Sequence, residues 1–191
     1  MRIKDYVEDY VNSISYHLKA IPEKTWKDAL ALMGYTRSKN RVFVAGNGGS
    51  AAIANHLTCD FSKGCEVMGH EALKTFSLSC NVPLITAIAN DYNYDEVFSR
   101  QLGYAGLVQE DIVILISSSG NSKNIVSAAQ FAQIKGAKII GLTGFDGGIL
   151  KEVSDISFHI PIKNYGIVED SHQAIMHCLA QMHKKEMEKW F

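Results

Sequence analysis

Hydrophobic and polar positions follow two regimes along this chain. Between residues 3 and 18, Ile3, Tyr6, Val7, Tyr10, Val11, Ile14 and Leu18 recur at helical spacing and form one apolar stripe. A second helix is expected from Pro22, whose fixed φ suits a first helical turn, and it carries Trp26, Leu30 and Met33. Beyond Asn40 the texture changes to short β-rich runs alternating with helix-length segments. The runs are Arg41 to Ala45, Lys74 to Leu78, Asp111 to Ile116, Lys138 to Thr143 and Ile156 to Ile160. The third and fourth are almost continuously apolar, as strands buried on both faces are. Strands separated by helices build a parallel sheet with helices on both of its faces. The pattern therefore predicts an α/β fold, a three-layer sandwich around a five-stranded parallel sheet, with extra N-terminal helices. Residues 168 to 191 contain neither Gly nor Pro and predict a long closing helix. With no repeat and no Pro/Gly-rich linker, one domain over 1–191 is expected, with 1–38 a helical extension and 39–191 the α/β core.

Composition narrows the partners. Nineteen Lys and Arg against twenty Asp and Glu give a formal charge of −1, without the basic surplus that non-specific nucleic-acid binding requires. No apolar run approaches the ~20 residues that span a bilayer, so no membrane partner is expected. The opening Met-Arg-Ile-Lys-Asp-Tyr leads into no apolar signal core, and a cytoplasmic location is the expectation. Cys59, Cys65, Cys80 and Cys178 form no C-x-x-C pair and read as reduced thiols.

Ligands of parallel sheets bind at the carboxyl ends of the strands, where loops lead into helix N-termini. The first strand runs into Gly46-Asn47-Gly48-Gly49-Ser50, and a helix is expected from about Ala51. Glycines let a ligand approach the main chain, and the helix end offers free N–H groups to an anion. A tight turn with no ligand would have the same sequence. Gly46, Gly48 and Ala51 also match the dinucleotide fingerprint, but the second strand ends in Ser77 to Asn81 without the carboxylate that holds a ribose. The third strand ends in Ser117-Ser118-Ser119-Gly120-Asn121-Ser122, more hydroxyls than one helix cap needs, which suits a phosphate group. Neither turn ends in Gly-Lys-Ser/Thr, so a phosphorylated small molecule fits better than a nucleoside triphosphate. His56 and Asp60 lie at i and i+4 on one helix face. Glu169, His172 and His177 fall within three turns of the last helix, with Glu169 and His177 about 80° apart around it. Two histidines and two carboxylates would suit a zinc-type ion with a position left for substrate oxygens. His17, His70, His159 and His183 read as surface or hydrogen-bonded core residues.

Gly46 to Ser50, Ala87 to Asp91 with Tyr94 and Phe98-Ser99-Arg100, Ser117 to Ser122, and Gly141 to Gly148 together resemble the sugar isomerase (SIS) domain family. Within it the chain is most similar to the phosphoheptose isomerases, which interconvert sedoheptulose 7-phosphate and heptose 7-phosphate. The likeness covers nearly the whole chain. It implies an aldose–ketose isomerase working through a metal-assisted enediolate in heptose biosynthesis. It further implies one Zn2+ per subunit and a homotetramer with sites at subunit interfaces. It carries substrate binding to Asn47, Gly48, Gly49, Ser50, Asn90, Asp91, Ser117, Ser118, Ser119 and Ser122. The family's zinc ligands His, Glu, Gln and His correspond to His56, Asp60, Glu169 and His177. Asp60 and His177 take the catalytic acid/base roles, and Asp60 and Glu169 also face substrate. Asp60 stands where the family has Glu, and Glu169 where it has Gln. An alternative of another class is a non-catalytic sugar-phosphate-binding module, or a protein that works by partner contact as the SIS protein that binds DnaA does.

Overall fold

The computed structural model describes residues 2–34, 40–68 and 70–189. Two helices come first, α1 (Ile3–Ala20) and α2 (Glu23–Gly34). The strands are β1 (Arg41–Gly46), β2 (Lys74–Ser77), β3 (Ile112–Ser117), β4 (Lys138–Gly144) and β5 (Ile156–Ile160). Between and after them run α3 (Gly49–Cys59), α4 (Val82–Asp91), α5 (Val97–Tyr104), α6 (Lys123–Lys135), α7 (Gly148–Val153) and α8 (Tyr165–Glu188). All strand pairs are parallel, in the order β2-β1-β3-β4-β5. The chain therefore reverses its direction of travel across the sheet between β1 and β3, and the crevice that opens there is where such sheets take their ligands.

Each of the five expected runs forms a strand, within one or two residues at each end. Side chains alternate across the sheet with the two-residue period of a strand. Val42, Val44, Ile112, Ile114, Ile116, Ile140 and Leu142 enter one core with α2, α3 and α8. Phe43, Ala45, Val113, Leu115 and Ile139 enter the other with α4, α5, α6 and α7. Burial on both faces explains why β3 and β4 read as continuous apolar runs. The proposed boundary between residues 38 and 39 lies outside the described residues.

The N-terminal helices pack on the α8 side of the sheet. Trp26 of α2 meets Phe158 of β5 edge-on at 5.0 Å, and Ala29 and Met33 are buried. α1 lies outside this layer against α8 and has no buried residue. Tyr10 donates a hydrogen bond of 2.7 Å to Asp170, while Ile3, Val7 and Val11 along the same helix remain exposed. The single stripe expected on α1 is thus split between a face toward α8 and a face toward solvent. The closing helix starts at Tyr165, three residues before the expected Val168, because the Asn164 side chain accepts from Ile167 N–H and caps it there. Among the described residues no helix is long and apolar enough to cross a membrane.

Candidate active site

The two anion-type turns lie side by side at the carboxyl ends of β1 and β3, which pair as far as Gly46 and Ile116. Gly48 enters α3 with φ 54° and ψ −123°, a backbone state closed to residues that carry a Cβ. Asn47 is held by three side-chain contacts. Its amide exchanges two 2.9 Å hydrogen bonds with the Asn124 amide, and its oxygen also accepts from Tyr94 Oη at 2.9 Å. This knot ties the first turn to the start of α6 and to the segment after α4.

The second turn is organised by its own hydroxyls. Ser117 Oγ accepts from Gly120 N–H at 3.2 Å and lies 3.2 Å from Ser122 Oγ, and Ser119 Oγ accepts from Asn121 N–H. A cavity of about 160 Å3 opens beside it, lined by Asn47, Ser50, Ile116, Ser117, Ser118, Ser119, Ser122, Tyr165 and Glu169. Ser118 has its hydroxyl buried and without a partner among the described residues. A buried hydroxyl left unsatisfied is costly, and an anionic oxygen would satisfy it.

A second set of polar groups lies where α3 meets α8. His56 Nε2 and His177 Nε2 are 2.9 Å apart, and Asp60 Oδ2 is 3.4 Å from each. Asp60 ends α3 and opens a five-residue π-type turn, Asp60–Gly64, a distortion often met at functional sites. The separations suit a divalent ion, since ligand atoms of a tetrahedral zinc site with ~2.1 Å bonds lie about 3.4 Å apart. The donor chemistry agrees. Two imidazole nitrogens and a carboxylate oxygen converge on one point, and all three are donors that a divalent ion takes. Among the described His, Cys, Asp and Glu side chains this is the group that could hold a metal.

Glu169 is not part of that group, contrary to the ligand set expected from the resemblance. It precedes His177 by eight residues, which is about 12 Å along a helix axis. Its carboxylate lies instead against Gly49, where any Cβ would collide with it, and lines the serine-turn cavity. Asn90 and Asp91 sit exposed at the end of α4, hydrogen-bonded to each other at 3.0 Å, and are not among the cavity-lining residues.

Some site neighbours escaped the sequence reading. Gln173 places its amide nitrogen 3.1 Å from His177 Nε2. It lies four residues before His177, a helical spacing that would have revealed it. Tyr165, Glu169, Gln173 and His177, each four apart, make a stripe along α8 that joins the serine-turn cavity to the histidine pair. Asn124 and Tyr165 carried no comparable local signal.

His172 takes no part in the cluster. It is fully buried, its Nε2 donates to the Thr143 carbonyl at 3.1 Å, and its Nδ1 has no partner among the described residues. Burial, with a smaller contribution from nearby His159, pushes its pKa down to about 4. The unfolded chain therefore binds a proton below pH ~6.5 that the folded chain refuses down to about pH 4. Folding stability is expected to fall by about 3 kcal/mol as pH drops across that window, and to be independent of His172 above it. Urea unfolding at pH 7 and pH 4.5 measures this, and His172→Gln is expected to flatten the slope.

Residues 5–144 match the SIS domain family. A phosphoheptose isomerase of Shewanella halifaxensis is 36% identical over 184 residues, which cover 93% of this chain and 91% of that protein. The solved phosphoheptose isomerase of Francisella tularensis superposes with a TM-score of 0.87 at 30% identity, over 97% of this chain and 100% of that one. The enzyme of the same name from Neisseria gonorrhoeae gives 0.85 at 27% identity, over 96% and 97%. With its five-stranded parallel sheet and paired turns, the chain belongs to the SIS domain family and, within it, to the phosphoheptose isomerases.

Proposed function

We propose that this chain is an aldose–ketose isomerase that interconverts sedoheptulose 7-phosphate and heptose 7-phosphate. The observation that carries the proposal is the stripe on α8 that links a hydroxyl-lined cavity to the His56, Asp60 and His177 group. A phosphate in the cavity would accept hydrogen bonds from Ser117, Ser118, Ser119 and Ser122, and Ser118 has a buried hydroxyl ready to give one. Hydroxyls hold the phosphate by geometry, with no fixed positive charge among the cavity-lining residues. The open-chain sugar then extends along α8, and Glu169, which can only accept, takes hydrogen bonds from its hydroxyls.

Asp60 takes the proton from one of carbons 1 and 2 and returns it to the other. The His177 imidazole moves the second proton between the two oxygens while its Nε2 is free of the metal, so that an enediolate separates the two sugars. One Zn2+ per subunit, held by His56, Asp60 and His177, would polarise those oxygens and favour the enediolate. Asp60 must be loosely held while it acts, since a tightly coordinated carboxylate is a weak base. We assign the chain to the cytoplasm and to a homotetramer with sites at subunit contacts. The exposed Ile3, Val7 and Val11 of α1 support an assembly that covers them.

The test is direct. Zinc-loaded protein incubated with sedoheptulose 7-phosphate is expected to form the aldose 7-phosphate and, in D2O, to wash solvent deuterium into the reacting carbons. Removal of the metal by a chelator is expected to slow both, and re-addition to restore them. No turnover and no exchange in metal-loaded protein that still binds the sugar phosphate would leave a binding protein instead.

A further inference from the structure

We infer that Gln173 supplies the fourth protein donor of the metal centre, through its side-chain amide oxygen, and that Glu169 does not. The inference rests on reading the His56, Asp60 and His177 group as a metal site, and concerns only how that site is completed.

Three separations within the group are 2.9, 3.4 and 3.4 Å. The amide of Gln173 comes to 3.1 Å from His177 Nε2, inside the same range. Its nitrogen and oxygen exchange places by half a turn of the last side-chain torsion, so geometry alone does not tell one from the other. Chemistry does. With His56 and His177 presenting lone pairs to a cation, the atom beside them must also bring a lone pair, and the amide oxygen has one where the nitrogen has none. Gln173 is half-buried, one helical turn from His177. Glu169 lies a further turn away, with its carboxylate against Gly49 at the first turn of α3.

Charge supports the same assignment. Two neutral imidazoles, one carboxylate and a neutral amide leave a divalent ion with a net positive charge, which suits a site where negative charge develops on substrate oxygens. A second carboxylate would cancel it. Glu169 is then free to act as an acceptor for sugar hydroxyls in the cavity that it lines.

Cobalt(II) titration of the full chain, followed by visible absorption and by equilibrium dialysis, tests this without reference to turnover. Wild type is expected to bind one ion. Gln173→Leu is expected to weaken binding about 10- to 100-fold and to alter the cobalt spectrum. Glu169→Leu, which leaves no donor atom at that position, is expected to leave both unchanged. Gln173→Glu separates the two roles open to this side chain, because a carboxylate can ligate but cannot donate a hydrogen bond to His177. Retained cobalt binding in Gln173→Glu supports a ligand. Loss equal to that of Gln173→Leu overturns the inference in favour of a donor that only positions His177. It is also overturned if Glu169→Leu loses the metal while Gln173→Leu keeps it, or if wild type binds none. Wild type that binds cobalt yet converts no sedoheptulose 7-phosphate would defeat the isomerase reading and leave this one intact.

Discussion

Asp60→Asn and His177→Ala are each expected to lower kcat on sedoheptulose 7-phosphate by ~10²- to 10⁴-fold, the span that a positioned acid or base contributes. Steady-state assays of aldose formation, run beside thermal melts, measure this. Neither side chain is part of the buried core, so melting should change little in the absence of metal. His56→Ala is expected to act through metal content alone, with activity partly recovered at high zinc, whereas Asp60→Asn and His177→Ala remove a proton carrier as well as a metal donor and are not expected to recover. The reaction needs both proton carriers in one place. Asp60 Oδ2 stands 3.4 Å from His177 Nε2, on a helix end whose π-type turn fixes where the carboxylate emerges. That distance is already a ligand-to-ligand distance. Asp60→Glu would therefore carry the carboxylate about a bond length too far, and misplacement on the order of 1 Å costs ~10²-fold. Full activity in Asp60→Glu would show that the surrounding chain does not depend on the shorter side chain.

The largest effect on stability is expected at the opposite end of the sheet. Asp111, fully buried before β3, accepts four hydrogen bonds: from Arg41 N–H at 2.9 Å, Arg41 Nε at 3.2 Å, an Arg41 terminal nitrogen at 2.6 Å and Val108 N–H at 3.0 Å. The guanidinium also donates to the Ala105 and Gly106 carbonyls. Asp111→Ala would strand two backbone donors and the Arg41 charge, whose side chain is only 26% exposed. Removing one partner of such a pair costs about 3–5 kcal/mol. At ~2–4 °C per kcal/mol for a chain of this size, the melting temperature should fall by roughly 10 °C. Asp111→Asn keeps one acceptor oxygen and is expected to lose less. Because Arg41 and Asp111 lie at the entry ends of β1 and β3, and the site lies at their exit ends, kcat below the melt should be preserved. A melt unchanged in Asp111→Ala would mean that the network adds nothing beyond its burial.

Much of this was legible before any fold was known, and particular residues show why. β3 and β4 were readable because a strand covered on both faces must be apolar at every position. The serine turn was readable because hydroxyls packed before a helix have few structural uses. Asp111 was not: it opens the third strand run as a single polar residue with no local sign of a partner, and Arg41 is 70 positions away. Tyr94 and Asn124 were equally silent as the clamps on Asn47, since nothing local marks a contact across 47 or 77 residues.

The chain order alone determined the alternation of strands and helices, the direction of the sheet and the two turns that face its ligand edge, because periodicity and turn chemistry act over a few residues. Tertiary structure alone decided which side chains meet. It brought His56 and His177 to 2.9 Å across 121 residues, and it turned Glu169 toward Gly49 and Gln173 toward His177. That outcome depends on how α8 lies across α3. Spacing along a helix places a residue on a face, and only packing decides what that face meets.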